Sequence, residues 1–162
     1  MGARGCLRGD RAHRRRVLRV LRHFLWLARR EATGGEAPMI KHPYIVFLSG
    51  PVTGMPDNNR KAFGDAADRI AEHTGVRGNI YVPTERVRPA ATHVEAMREC
   101  LLELVQGQFM DWNLHYPYQC LAQLPGWSGS PGAKVEAMVA RAIGVPVVEL
   151  DELLASYEAA DQ

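Results

Sequence analysis

Two stretches of this chain hold residue types suited to ligand binding and chemistry. The first is SGPVTGMPDNNR, residues 49–60. Two glycines, two prolines and small hydroxyls make a stiff loop whose backbone amides can face a ligand. The loop runs into a helix N-terminus, where an anion is favoured, and Asn58, Asn59 and Arg60 add donors. On the residues alone, a ligand loop and a plain connection stay equally open. The second stretch is LPGWSGSPGAKVEAMVARAIGVPV, residues 124–147. A strand ends there, a turn rich in Gly, Ser and Pro follows, and a helix opens with Glu136 in its first turns. A glutamate so placed is ordinarily solvated and favours the helix dipole. It is also positioned to project beside a ligand mouth, with Ser128, Ser130 and the amides near Gly132 around it.

Several chemistries are not expected. The first loop lacks the Gly-Lys-Ser/Thr ending of a P-loop and does not match Gly-x-Gly-x-x-Gly. Cys6, Cys100 and Cys120 are an odd set without Cys-x-x-Cys spacing, which predicts neither a disulfide framework nor a zinc site. With no Cys/His cluster elsewhere, no metal is expected, and no cofactor.

The elements that must position these residues follow from periodicity. YIVFL, residues 44–48, reads as a buried strand stopping at Ser49-Gly50-Pro51. Residues 60–73 read as a helix with Phe63, Ala66, Ala67 and Ile70 inward. NIYV, residues 79–82, is a second strand stopping at Pro83. Thr92 with Glu95 forms a capping-box pattern before a helix that runs to about Gln106. Residues 107–118, aromatic-rich with a proline, read as a short helix or as a loop over a pocket, and 109–118 is a candidate contact surface. QCLAQL, residues 119–124, is a third strand, and 134–143 a helix closed by Gly144. Residues 145–150 form a fourth strand and 151–159 a terminal helix. Strands alternating with helices imply a mostly parallel sheet with right-handed crossovers. Ligands of such sheets sit beyond the carboxyl ends of the strands, where both stretches fall.

The net charge of +2 conceals an asymmetry. Residues 1–38 carry ten arginines against three acidic residues, a net +7, while residues 39–162 carry ten basic against fifteen acidic, a net −5. Within the first segment, residues 11–30 read as a basic amphipathic helix, with Val17, Leu18, Leu21, Phe24, Leu25 and Ala28 on one face. Arginines interrupt its apolar run, so it reads neither as a membrane span nor as a signal peptide. A membrane-surface or nucleic-acid-binding helix, a targeting peptide and a dispensable extension all stay open, with Met39 an alternative start. The body, residues 39–162, reads as one cytoplasmic domain without a nucleic-acid or membrane footprint.

Together, SGPVTGMPDNNRKAF and LPGWSGSPGAKVEAMVARAIGVPV resemble the DUF4406 proteins of phages and bacteria. That group is similar to the nucleoside 2-deoxyribosyltransferases and the 2′-deoxynucleoside 5′-phosphate N-hydrolases. The resemblance covers roughly residues 43–150. It implies a flavodoxin-like (Rossmann-like) α/β three-layer sandwich, commonly a homo-oligomer, acting on a small-molecule nucleoside or nucleotide. It implies Glu136 as nucleophile, Ser130 against sugar or phosphate, and Gly50, Pro51, Thr53 and Gly54 under the nucleotide. Ser49, Asn59, Arg60 and Gly132 join that substrate set, and Trp127 either stacks on a base or packs at the strand end. A 5′-phosphate, if required, would sit on the 50–54 amides near Arg60. The resemblance also implies an Asp before the glutamate, and two registers are open for it. Counting back from Glu136 gives Asp111, a catalytic candidate to assist the leaving base. Matching the text HVEAMRECLLELV gives Cys100, with an insertion near 108–118 and the acid lost. The rival class is a nucleotide-binding or sequestering module without catalysis.

Overall fold

The computed structural model describes residues 43–111 and 114–159, with the backbone alone for 109–111, 114 and 115. The expected N-terminal amphipathic helix, residues 11–30, lies outside the described residues.

Four short strands form one parallel sheet: β1 (Val46–Ser49), β2 (Ile80–Tyr81), β5 (Cys120–Gln123) and β6 (Val147–Glu149), in the order β2-β1-β5-β6. β1 is apolar on both faces, as a strand covered on both sides must be. Val46 and Leu48 point into one core, shared with α1 (Arg60–Thr74) and α5 (Leu150–Glu158). Ile45 and Phe47 point into the other, shared with α3 (His93–Gln106) and α4 (Pro131–Ala142). The result is the expected three-layer, flavodoxin-like sandwich. A one-turn helix, α2 (Pro83–Arg86), follows β2.

Helix placement follows the sequence closely. Phe63, Ala66, Ala67 and Ile70 are the buried face of α1. Thr92 caps α3 through a full capping box: its hydroxyl accepts from the Glu95 amide while the Glu95 carboxylate accepts from the Thr92 amide. α4 starts three residues earlier than its apolar spacing indicates, at Pro131, because Ser130 is its N-cap and proline suits the first helical position.

The segment after α3 differs from expectation. It is neither helix nor pocket loop but an antiparallel hairpin, β3 (Gln108–Asp111) with β4 (Leu114–Tyr116), whose register slips between Phe109 and Asp111. Both ends of the hairpin are tied to the amino edge of the main sheet. The Gln108 amide donates to the Gly78 carbonyl just before β2, and the Gln119 backbone amide donates to the Ile45 carbonyl just before β1, at 2.8 Å. No helix among the described residues is long and apolar enough to cross a membrane.

Candidate active site

β1 connects outward to β2 and β5 connects the other way to β6, so the sheet reverses direction between β1 and β5. Loops diverging at such a point leave a crevice at the carboxyl edge. The two stretches singled out in the sequence are those loops. They are joined at their roots, where the Leu124 amide donates to the Ser49 carbonyl at 2.8 Å. Gly50 is required by that closeness, because a Cβ there would stand 2.9 Å from Leu124 Cβ.

The first loop closes on itself. Asn59 Nδ2 donates to the Pro51 carbonyl at 2.9 Å. Asp57, Asn58 and Asn59 all take left-handed backbone angles, with φ of 46°, 51° and 61°. Asp and Asn are the non-glycine types that tolerate this conformation best, which accounts for the composition of the turn.

The second loop delivers Glu136. Ser130 Oγ accepts from the Ala133 amide at 3.3 Å and sets the start of α4. Ala133, Glu136, Ala137 and Ala140 form its buried face. The small residues let α4 lie close to the sheet and α3, and Gly132 marks the closest approach: a Cβ there would meet Met97 Sδ at 2.9 Å. Glu136 is therefore carried inward rather than into solvent, and is 5% exposed. Ser49 Oγ donates to Glu136 Oε2 at 2.5 Å. Burial pushes the Glu136 carboxyl up to about 7, and hydrogen bonds from Ser49 and the Cys100 thiol pull it partly back. A carboxyl balanced near neutrality can serve as base, acid or nucleophile.

Above Glu136 lies a cavity of about 320 Å³, within the range of small-ligand sites. Gly50, Thr53, Gly54, Arg60, Ser130, Gly132 and Glu136, all named from the sequence, line it. Others take supporting places. Ser49 is buried beneath, holding Glu136. Asn59 braces Pro51, as above. Trp127 turns away, its indole Nε1 donating to Glu149 Oε1 at 2.8 Å; the packing role fits it better than base stacking. Asp111 stands in β3, in the hairpin rooted at the amino edge, and its side chain lies outside the described residues. Cys100 lines the same cavity as Glu136. Of the two positions weighed from the sequence, Cys100 thus stands on the cavity wall and the backbone of Asp111 in the hairpin.

Three polar lining residues had no sequence signal strong enough to name them. His93, the first residue of α3, lies 3.5 Å from Thr53 Oγ1 through Nδ1, across the two walls. Arg88 lines the rim while pairing with Glu99 at 3.0 Å. Thr84 is buried, and its hydroxyl has no hydrogen-bond partner. The N-termini of α1, α3 and α4 all open onto the cavity through Arg60, His93 and Ser130, an arrangement favourable to anions. Among the described residues no group of three or more His, Cys, Asp or Glu side chains is arranged to hold a metal ion.

The chain matches the family model described as Domain of unknown function (DUF4406) over residues 44–149. No curated protein and no solved structure matches it. The matched span takes in all four sheet strands, both cavity loops and Glu136, well over half of the 162 residues. The chain belongs to the DUF4406 family.

Proposed function

We propose that this protein cleaves or transfers the N-glycosidic bond of a 2′-deoxynucleoside or its 5′-monophosphate, with Glu136 as nucleophile. The observation that carries the reading is a single buried carboxylate at the floor of a nucleoside-sized cavity, held by Ser49 and facing a rim of donors. The resemblance of the two loops to nucleoside 2-deoxyribosyltransferases points the same way. C1′ of a bound nucleoside acquires cationic character as the base departs. Glu136 stabilises that charge and attacks, forming a glycosyl ester while the bonding pair leaves with the base nitrogen. Water then attacks C1′ and releases free sugar, or a second base accepts the glycosyl group. Arg60 and the 50–54 amides suit a 5′-phosphate, and the unpartnered Thr84 hydroxyl offers a further polar contact.

Glu136 is the sole acid among the described residues that line the cavity. Protonation of the leaving base would fall to His93 or solvent. That same scarcity favours a second reading, a module that binds a nucleotide without turning it over.

The test is mass-spectrometric detection of free base after incubation with a panel of deoxynucleosides and their 5′-monophosphates. We expect release by the wild type and a loss of at least about 10³-fold in Glu136→Ala. Saturable binding of one nucleotide with no release would replace the enzyme with the binding module.

A further inference from the structure

The cavity over Glu136 has two unlike walls. One is the 50–54 loop with the start of α4, rich in backbone amides through Gly50, Gly54 and Gly132. The other comes from α2, the turn after it and the first turns of α3. It presents Pro83, Val87, Pro89, Ala96 and Met97, an apolar surface that suits the ring face of a base. His93 stands where the walls meet. Its Nδ1 lies 3.5 Å from Thr53 Oγ1, and a Cβ at Gly132 would come within 3.8 Å of its Cε1. The ring is thus set between both loops, with Nε2 left for a ligand. Gly132 precedes Glu136 by four residues, about 6 Å along the axis of α4. A base on a sugar carbon held over Glu136 has the imidazole within about its own length.

We propose that His93 is a catalytic residue, the acid that gives its proton to the departing base; the inference rests on the glycosidic reading. Among the described residues, the ionisable side chains lining the cavity are Arg60, Arg88, His93, Cys100 and Glu136. Guanidinium groups keep their protons, and Arg88 is paired with Glu99 at 3.0 Å. Burial pushes the Cys100 thiol up to about 12, too high to give a proton near neutrality. Glu136 is the nucleophile. The imidazole is what remains, and histidine is the side chain whose charge ordinarily changes near neutral pH. The step balances. The C1′–N bond breaks and its electron pair leaves with the base nitrogen, while a Glu136 oxygen bonds C1′. The imidazolium donates to Thr53 Oγ1 through Nδ1 and passes its Nε2 proton to a basic atom of the base. The neutral ring then takes a proton from the water or incoming base that attacks C1′, and Glu136 leaves as carboxylate. Both groups end the cycle as they began it.

The experiment measures base release by the full chain from the deoxynucleoside or 5′-monophosphate that the wild type cleaves fastest. His93→Ala is expected to lower kcat by about 100-fold, with KM within about threefold of wild type. Added imidazole should raise the kcat of that variant by about tenfold or more, because the missing group is a proton donor. A kcat within about threefold of wild type overturns the proposal. So does a rise in KM at unchanged kcat, which makes His93 a binding contact, and so does a lost kcat that imidazole leaves unrestored, which makes it structural. Should the alanine variant not fold, His93→Gln decides. It keeps a hydrogen-bond donor of similar reach but has no proton to give, so kcat falls as far while KM holds; an unchanged kcat overturns the role. No base release from the wild type overturns the glycosidic reading and the role of His93 with it. Release by the wild type that persists undiminished in both variants overturns the role of His93 alone.

Discussion

The two faces of the sheet differ in chemistry although the same four strands supply both. The face under α1 and α5 is built from aliphatic side chains with Phe63, Cys120 and Tyr157. The face under α3 and α4 buries Tyr81, Tyr118 and Cys100 among its apolar residues. Ser49 and Glu136 meet on this side. Gln123, in register with Ser49 across the parallel ladder, shares its face; its Nε2 is buried without a partner. One face is thus free to maximise burial, while the other accepts desolvated polar groups, which cost stability, among them a carboxyl raised toward neutrality.

The largest expected effect lies on the apolar face. Ile70 is fully buried there, and Ile70→Ala removes packed methylenes into a rigid neighbourhood. We expect a loss of about 3 kcal/mol in urea unfolding, with the pH dependence of stability unchanged. A loss under about 1 kcal/mol would mean that this face is not the stabilising one.

The opposite sign is expected at Glu136. Its carboxyl stands near 7 in the folded protein against 4.5 for the ordinary group, chiefly through burial. The folded state therefore binds the proton more tightly than the unfolded state. The resulting stability is full below about pH 4.5 and is lost as pH rises through about 7. Glu136→Gln removes that loss. We expect the variant to exceed wild type by about 2 kcal/mol at pH 8 and to match it at pH 4. Thermal melting across pH 4–8 checks it, and parallel curves would show that Glu136 titrates normally.

This asymmetry also governs what could be read from the sequence. The apolar face was legible because its residues repeat at helix and strand periods: the spacing of Phe63, Ala66, Ala67 and Ile70 names α1. Glu136 was legible because a Gly/Ser/Pro turn after a strand fixes where a helix must open. The hairpin was not legible. Phe109, Tyr116 and Pro117 follow neither period, and pairing between β3 and β4 sets the backbone of the first two. His93, Arg88 and Thr84 come from elements distant in sequence, and only the packing of α2 and α3 against the loops brings them to the cavity. Ser49 was named as a substrate contact, but strand alternation turns it inward, where it holds the glutamate instead.

A smaller effect probes how the chemical face is spaced. Gly132 lies where α4 meets α3, and an added methyl would stand 2.9 Å from Met97 Sδ. Met97 is flexible and can yield in part. Gly132→Ala is expected to cost about 1 kcal/mol and, because both residues line the cavity, to weaken ligand binding more than it weakens the fold. Isothermal titration beside urea unfolding separates the two. Equal losses would mean that the glycine serves packing alone.

The smallest effect is expected at Trp127, and it tests where the chemical face ends. The indole is held by Glu149 and does not line the cavity. Trp127→Phe keeps the aromatic body and removes one hydrogen bond to an exposed carboxylate. Such a bond contributes about 0.5 kcal/mol or less in solvent, and no ligand contact is lost. We therefore expect unchanged nucleotide affinity together with a barely measurable change in stability. A drop in affinity of tenfold or more would mean that the indole leaves Glu149 on binding and stacks on the base. The boundary of the site would then lie one loop further out, with the turn after β5 acting as a moving wall rather than a fixed one.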